Sequence, residues 1–457
     1  MIKVSVIVPV LNGISYINEC MDSLISQTLK EMEILVIDAG STDGTLEILE
    51  EYVQKDSRVR LLHSDQKSMG HQTNMGIQAA SGEYIGFCEA DDYLSSGMLE
   101  HLYQTGKSKD LDFIKSDFDM FVTSSEGRIF LNYHILPPEK RALYGNVIHP
   151  KDHPDLLHRD VNMWNGIYKR RWILENKIRL NETPKAAFQD VGFILQTFLL
   201  ADRGMYVHED ANKYRRDNIS SSVYDQQSLL FVVQEFAFFM GILQERQIAK
   251  KRTLAVILKR FLGLFCGFYK RLPEWSLVSE ETKEAVERFK GLLVKFYSWL
   301  DYGDLLYEGL DTSIELRMLL ENNPLLDAYE RQLERIRRKS LNDFYAYVKK
   351  YEKAVIFGAG ERGMSCLGLL QRNQYQGVIG FCDNNSSLWG SRRMGLEILC
   401  PDKSEKEGVL FIVAHGDDGR WKQIYDQLIS MGADAKQICR AADVIPHHAL
   451  ELRLGEE

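Results

Sequence analysis

The sequence predicts an α/β protein in three parts: a domain on a mostly parallel sheet over residues 1–222, a helical connector over 223–350, and a small second α/β domain over 351–457. Three observations carry this. Short apolar strands alternate with helical periods up to Cys88, charged residues at helical spacing dominate from Gln226 to about Lys350, and the strand-helix alternation returns at Lys353.

Element by element, Val4 to Val8 is a β-branched run broken only by Ser5, the pattern of a strand buried on both faces. Tyr16 to Leu29 sets Ile17, Cys20, Met21, Leu24 and Ile25 at helical spacing. Strands follow at Glu33–Asp38, Arg58–His63 and Glu83–Cys88, with helices at Thr45–Val53 and Gln72–Ala80 between them. Short links between such units impose a parallel sheet with helices on both faces, and ligands then bind beyond the carboxyl ends of the strands. Residues 99–222 are mixed in character. Leu229 to Met240 is apolar almost all round, the pattern of a buried helix, and Ala328 to Lys350 is amphipathic. In the third part, Ala354–Phe357, Val378–Cys382 and Val409–Ala414 read as strands; Met364–Asn373 and Trp421–Met431 read as helices.

The apolar fraction of 45% and charged fraction of 26% are those of a globular protein. A net charge of −9 argues against a dedicated nucleic-acid binder, which needs a basic surface to neutralise phosphates. Seven scattered cysteines with no C-x-x-C pair argue against a disulfide framework and for a reducing cytoplasm. The N-terminus lacks the pattern of a signal peptide. The closest approach to the roughly 20 uncharged apolar residues of a membrane span is expected from Leu254, where Lys259 and Arg260 interrupt it. A cytoplasmic location is expected. The basic and apolar surface of the helical segment would suit peripheral contact with the inner face of a membrane, and a solvated bundle of the same composition is favoured over it.

Three acidic features fall where the first sheet delivers its ligand: Asp38 at the end of the second strand, Glu89-Ala90-Asp91-Asp92 after the fourth, and the distant Asp190. Paired carboxylates at a strand end suit a divalent cation, which neutralises a diphosphate while a sugar-phosphate bond breaks. An isolated Asp-Asp pair is more often a cap; its position after a buried strand lowers those odds and leaves both readings open.

The run Val4-Ser5-Val6-Ile7-Val8-Pro9-Val10-Leu11-Asn12, then Ser26-Gln27-Thr28, Asp38-Ala39-Gly40-Ser41-Thr42-Asp43-Gly44-Thr45, Asn74-Met75-Gly76-Ile77, Ala80 to Ile85 and Glu89 to Asp92 resembles the opening of the family-2 inverting glycosyltransferases with the GT-A fold. A weaker likeness continues through Trp164-Asn165 and Phe188-Gln189-Asp190 to Tyr214-Arg215. The resemblance implies a nucleotide-sugar donor and a glycan or lipid-linked acceptor in bacterial surface-polysaccharide synthesis. It implies that Pro9, Leu11, Asn12, Asp38 and Asn74 line the donor site, that Asp91 contacts ribose or sugar, and that Asp92, with Glu89, holds Mn2+ or Mg2+. Asp190 matches the general base, Arg215 or Arg216 would meet the diphosphate, and Trp164 with Asn165 would face the acceptor. Ala39 stands where the family carries an acid that contacts the base, which leaves a nucleotide other than UDP open. Glu89 replaces an aspartate, and Thr73 replaces an arginine. His71 and His208 read as surface histidines. The competing class is a non-catalytic nucleotide-sugar-binding or scaffolding protein of a polysaccharide assembly.

Gly358-Ala359-Gly360-Glu361-Arg362-Gly363 lies between a strand and a helix, with Asp383 after the next strand, as a dinucleotide fingerprint asks. The unit resembles small Rossmann-like domains appended to bacterial polysaccharide enzymes. It is read equally as a site for NAD or another nucleotide, built on Gly358, Gly360, Gly363 and Asp383, and as a domain for packing or homodimerisation.

Overall fold

In the computed structural model the described residues are 1–124, 127–160, 162–186, 188–218, 227–247, 251–269, 279–301, 303, 305, 308–310, 321, 325–404, 406–415 and 418–441. The chain divides into two compact units, Met1–Leu292 and Leu293–Glu457. The expected boundary at 222–223 lies outside the described residues.

The first unit opens with β1 (Val4–Val10), α1 (Ile17–Ile25), β2 (Met32–Asp38), α2 (Thr45–Lys55), β3 (Val59–His63), α3 (Met69–Ala79) and β4 (Tyr84–Phe87). All of β2 is buried, as a parallel strand covered on both faces must be. Helix α1 buries Ile17, Cys20, Met21 and Leu24, one stripe of an amphipathic helix. Helix α3 lies so close to β1 that a Cβ on Gly76 would stand 2.6 Å from Ile7 Cγ2. Then come β5 (Tyr93–Leu94), α4 (Met98–Ser108), β6 (Phe113–Ser124), β7 (Gly127–Tyr133), β8 (Gly166–Lys169), α5 (Arg170–Glu175), α6 (Gln189–Leu200) and β9 (Gly204–Arg215).

The strand order is β3-β2-β1-β4-β8-β6-β9-β5, with β7 hydrogen-bonded to β6. Strands β3, β2, β1 and β4 are parallel. Strand β8 runs antiparallel to both β4 and β6, so the second half of the sheet is mixed. This is the stretch where the sequence pattern blurs. The pairing of β6 with β9 breaks register: Ser116 faces Val207, but Phe118 faces Asn212.

Helices α7 (Ser228–Glu245) and α8 (Lys251–Tyr269) pack within this unit, α7 on α6 and α8, and α8 on residues 154–158. Their apolar faces require it: Phe236 is fully buried and meets Phe261 at 4.6 Å between ring centroids. Burying one such side chain contributes about 2–3 kcal/mol. The expected connector therefore gives two helices to the N-terminal unit. Among the described residues one helix, Ser228–Glu245, is long and apolar enough to cross a membrane, and 61% of it is buried inside the protein.

The second unit carries β10 (Lys353–Phe357), β11 (Val378–Cys382), β12 (Arg392–Arg393), β13 (Leu396–Leu399), β14 (Val409–Val413) and β15 (Ile438–Arg440), in the order β12-β13-β11-β10-β14-β15. Alternate residues of β10 and β14 feed two cores. Ala354, Ile356, Leu410 and Ile412 pack against the helix Glu361–Arg372; Val355, Phe357, Phe411 and Val413 pack against the helix Asp418–Ser430. That is a sheet covered on both faces.

Candidate active site

The loop after β1 is held to the turn after β2. Asn12, at φ 53°, donates its N–H to Ser41 Oγ (2.8 Å), and its Oδ1 accepts the Thr42 N–H (2.9 Å). Asp43 accepts the Ile14 N–H at 3.1 Å. Asp38 is buried, and its Oδ2 accepts the N–H groups of Gly40 (2.9 Å) and Ser41 (3.1 Å). Its carboxylate therefore shapes the turn that the sequence places against the nucleotide. Pro9 is still within β1, paired with Ile37, whereas Leu11 and Asn12 are exposed at the strand end. Ile14, 43% exposed, joins them on the rim.

Across from this rim, Glu89 and Asp91 are half-buried and Asp92 is 1% exposed. Asp92 Oδ1 accepts the backbone N–H of Arg215 at 2.8 Å, and its Oδ2 is a buried oxygen with no hydrogen-bond partner. Asp91 Oδ2 accepts from Asn218 Nδ2 at 2.7 Å. Asp190 enters from the first turn of α6, placed by Phe188 at φ 65°, and its Oδ1 accepts the Val191 N–H at 3.0 Å.

These four acids form one electrostatic cluster. Burial, then the charges of Asp91 and Asp190, push the Glu89 carboxyl well above the usual carboxylate range. Burial, then Glu89 and Asp91, push Asp92 up likewise. Burial raises Asp190, and the Arg260 guanidinium pulls it part of the way back. A buried carboxylate needs a counter-charge or a proton, so an orphaned oxygen amid mutually repelling acids fits a site for a divalent cation.

The other expected residues are built in more tightly than the sequence suggests. Arg215 is 7% exposed. Its Nη2 donates to Glu19 Oε2 (2.6 Å) and its Nε to the Asp91 carbonyl (2.9 Å), while the guanidinium lies 4.5 Å from the Tyr16 ring and 4.7 Å from that of Phe121. It is a brace for the acidic loop and presents no open fork to a diphosphate; Arg216 is the exposed one of the pair. Trp164, 2% exposed, stacks on Tyr214 (4.9 Å) and meets Phe118 edge-on (4.7 Å), so it offers no face to an acceptor sugar. Asn165 is fully buried and donates to the Ser116 carbonyl at 2.7 Å, joining β8 to β6. Asn74 donates to the Leu180 carbonyl (3.0 Å) and accepts the Leu180 N–H (3.0 Å). It clamps the loop that leads to Asp190. His71 is held by Glu182 at 3.0 Å.

Several contributors lie in segments to which the sequence assigned no functional residue. Lys115, 1% exposed, is ion-paired with Asp160, whose Oδ2 also accepts from the Tyr206 hydroxyl at 2.6 Å. Glu235 of α7 is 1% exposed and accepts the Gly192 N–H at 3.0 Å, satisfying a donor in the first turn of α6. A Cβ on Gly192 would stand 2.1 Å from Glu235 Oε1, so a larger residue there would push the carboxylate aside. Burial pushes the Glu235 carboxyl well up. Arg260 of α8 donates to the Leu157 carbonyl at 2.8 Å, and burial lowers it to about 10 while Asp190 and Asp160 act to raise it. The signal available was a lone charge inside an apolar run, as in Phe113-Ile114-Lys115 and Val233-Gln234-Glu235-Phe236.

The C-terminal loop has the expected glycines. Gly358 has φ 107°, and a Cβ on Gly363 would stand 1.9 Å from the Gly358 carbonyl oxygen, so the helix packs against the turn as the fingerprint requires. Asp383, however, spends both oxygens locally: Oδ2 accepts the Ala359 N–H and Oδ1 the Asn385 N–H, each at 2.9 Å.

Residues 5–173 match the model of the glycosyl transferase family 2. Glycosyltransferase GlyG of Streptococcus pneumoniae is 40% identical over 298 residues, 63% of this chain and 95% of that protein. The chain belongs to glycosyltransferase family 2. Its N-terminal unit thus has the GT-A fold expected of such a member. Glycosyltransferase EpsJ of Bacillus subtilis is 32% identical over 220 residues, covering 47% of this chain and 61% of that relative. A poly(ribitol-phosphate) beta-glucosyltransferase of Bacillus spizizenii is 24% identical over 437 residues, 92% of this chain and 64% of the relative. The match to EpsJ thus spans less than two thirds of that protein's length.

Proposed function

We propose that this family-2 member is an inverting glycosyltransferase that moves a hexosyl or N-acetylhexosaminyl group from a nucleotide-diphosphate sugar, UDP first among candidates, to a hydroxyl of a glycan or lipid-linked acceptor in bacterial surface-polysaccharide synthesis. The observation that carries it is the convergence of Glu89, Asp91, Asp92 and Asp190, from two segments about a hundred residues apart, next to the loop after β1, where a Cβ on Gly13 would stand 3.8 Å from Ala90 Cβ. The names of GlyG and of the beta-glucosyltransferase support the same class.

The rim would hold the nucleoside. Asp38 sets the turn beneath it, and Ala39, buried at the family's acidic position, offers no carboxylate to the base. Asp92 Oδ2, the buried oxygen without a hydrogen-bond partner, would hold Mn2+ or Mg2+ together with Glu89, with Asp91 beside them, while Asp92 Oδ1 fixes the Arg215 backbone. A divalent cation bound there supplies neutralisation of the diphosphate leaving group.

Asp190 takes the proton of the acceptor hydroxyl as that oxygen bonds to the anomeric carbon. The bond from that carbon to the diphosphate breaks on the opposite face, with inversion. A general base works best when its pKa nears the working pH, and burial moves Asp190 in that direction. Buried Lys115 and Arg260 keep its carboxylate from being raised too far.

A thermal-shift screen of UDP-, GDP-, CDP- and dTDP-sugars, with and without Mn2+, tests the reading. A Mn2+-dependent shift with one nucleotide class, followed by donor hydrolysis, is expected. No shift and no hydrolysis across the panel would contradict it.

A further inference from the structure

A second cluster of ligating groups lies apart in sequence from the four acids: Asp117 in β6, His134 just after β7 and His208 in β9. The register break between β6 and β9 builds it. Ser116 pairs with Val207 and Phe118 with Asn212, so Asp117 alone stands opposite the four residues 208–211, and the bulged strand turns His208 onto it. Bulges of this kind re-aim side chains next to functional sites.

Asp117 is fully buried, and its two oxygens have different neighbours. Oδ1 is fixed by the Tyr144 hydroxyl at 2.6 Å and the Ile135 N–H at 2.9 Å. Oδ2 faces two imidazole nitrogens, His134 Nδ1 at 3.0 Å and His208 Nδ1 at 2.7 Å. The two rings are 5.0 Å apart between centroids and tilted by 54°. One ligand atom from each residue lies within 4.8 Å of the other two.

Two imidazoles and one carboxylate, with the carboxylate's second oxygen held by outer partners, are a ligand set for a first-row divalent transition ion. Zinc bonds of about 2.0–2.2 Å to nitrogen and oxygen place two ligand atoms roughly 3–3.5 Å apart around one ion. The observed 2.7 and 3.0 Å separations need only a small opening to reach that span. A hard ion such as Mg2+, which prefers an all-oxygen shell, fits the set poorly.

We propose that Asp117 Oδ2, His134 Nδ1 and His208 Nδ1 bind a zinc-class divalent ion at a site separate from the donor-binding acids. The ion replaces the hydrogen bonds that now join these atoms, and each neutral ring carries its proton on Nε2 instead. Three protein ligands leave at least one coordination position for solvent. The ion ties the segment after β7 to the bulge in β9, and Tyr144 and Ile135 hold the carboxylate in place behind it.

The test uses the full chain, stripped of metal by chelator and titrated with Zn2+ by calorimetry and with Co2+ by visible absorption. The parent protein should bind one equivalent at this site. His208→Gln, at a side chain 62% exposed and therefore tolerant of change, should bind at least tenfold more weakly while keeping its circular dichroism. Asp91→Asn should retain the high-affinity equivalent. The proposal is overturned if the parent chain takes up neither ion. It is overturned equally if His208→Gln binds like the parent, or if the equivalent disappears in Asp91→Asn and persists in His208→Gln.

Discussion

Both sheets of this protein set acids beyond parallel strands and beside loops, yet Asp383 of the second sheet and the acid cluster after β4 of the first meet opposite fates. In the C-terminal unit Asp383 gives each oxygen to a backbone N–H of its own surroundings. In the N-terminal unit Glu89, Asp91, Asp92 and Asp190 crowd together, two of them pushed well up by burial and mutual charge, with one oxygen of Asp92 left orphaned. A carboxylate satisfied by neighbouring backbone N–H groups stabilises the turns that carry them. Carboxylates left in mutual conflict mark a place whose balance is completed by a ligand. The position of an acid at a strand end does not distinguish these cases; the fate of its oxygens does.

The largest effect that could break this contrast is at Asp190. Asp190→Asn should lower transfer about 10²–10⁴-fold, the range for losing a general base, with the thermal shift by donor nearly unchanged. An equal loss of donor affinity would remove it from the acceptor side.

Next, Asp91→Asn should abolish the Mn2+-dependent donor shift, whereas Asp383→Asn should leave donor binding and transfer intact. The latter should cost about 0.5–1.5 kcal/mol of C-terminal stability through the one backbone hydrogen bond that an amide nitrogen cannot accept, read by denaturant unfolding. Loss of donor binding in Asp383→Asn would erase the distinction between the two sheets.

A smaller effect is on pH. The folded pKa values of Glu89 and Asp92 lie above their unfolded values of about 4. The folded protein then keeps protons that the unfolded chain releases. Stability of the ligand-free protein should fall as pH rises from about 4 toward the raised values, and level off above them. Mn2+ should restore the loss, with a larger melting shift at pH 8 than at pH 5.5. A shift independent of pH would mean that the cation binds elsewhere.

Smallest, Arg260→Met should move the acidic limb of the kcat/KM profile upward, because Arg260 is the largest influence lowering the Asp190 carboxyl. An unmoved limb would separate α8 from the chemistry.

Much of the architecture was legible in the sequence because buried parallel strands are written as contiguous apolar runs. Val4–Val10 and Met32–Asp38 extend their expected spans by only one or two residues at an end. Asp91, Asp92 and Asp190 stand out in the sequence as motifs in order, and the fold brings them into one electrostatic cluster. What stayed hidden depends on where side chains end. Trp164 and Arg215 carry residue types suited to ligands but are absorbed by Phe118, Tyr214 and Glu19, contacts made between segments distant in sequence. Lys115 and Glu235 were hidden in apolar runs. The Asp117, His134 and His208 cluster depends on a change of register that no local pattern encodes.

The most direct test of the account is a calorimetric titration of the best nucleotide sugar from the donor panel, with Mn2+, into the parent chain and Asp91→Asn. The account predicts one Mn2+-dependent site in the parent and none in the variant. Undiminished binding in Asp91→Asn would place the donor away from the acid cluster and contradict it.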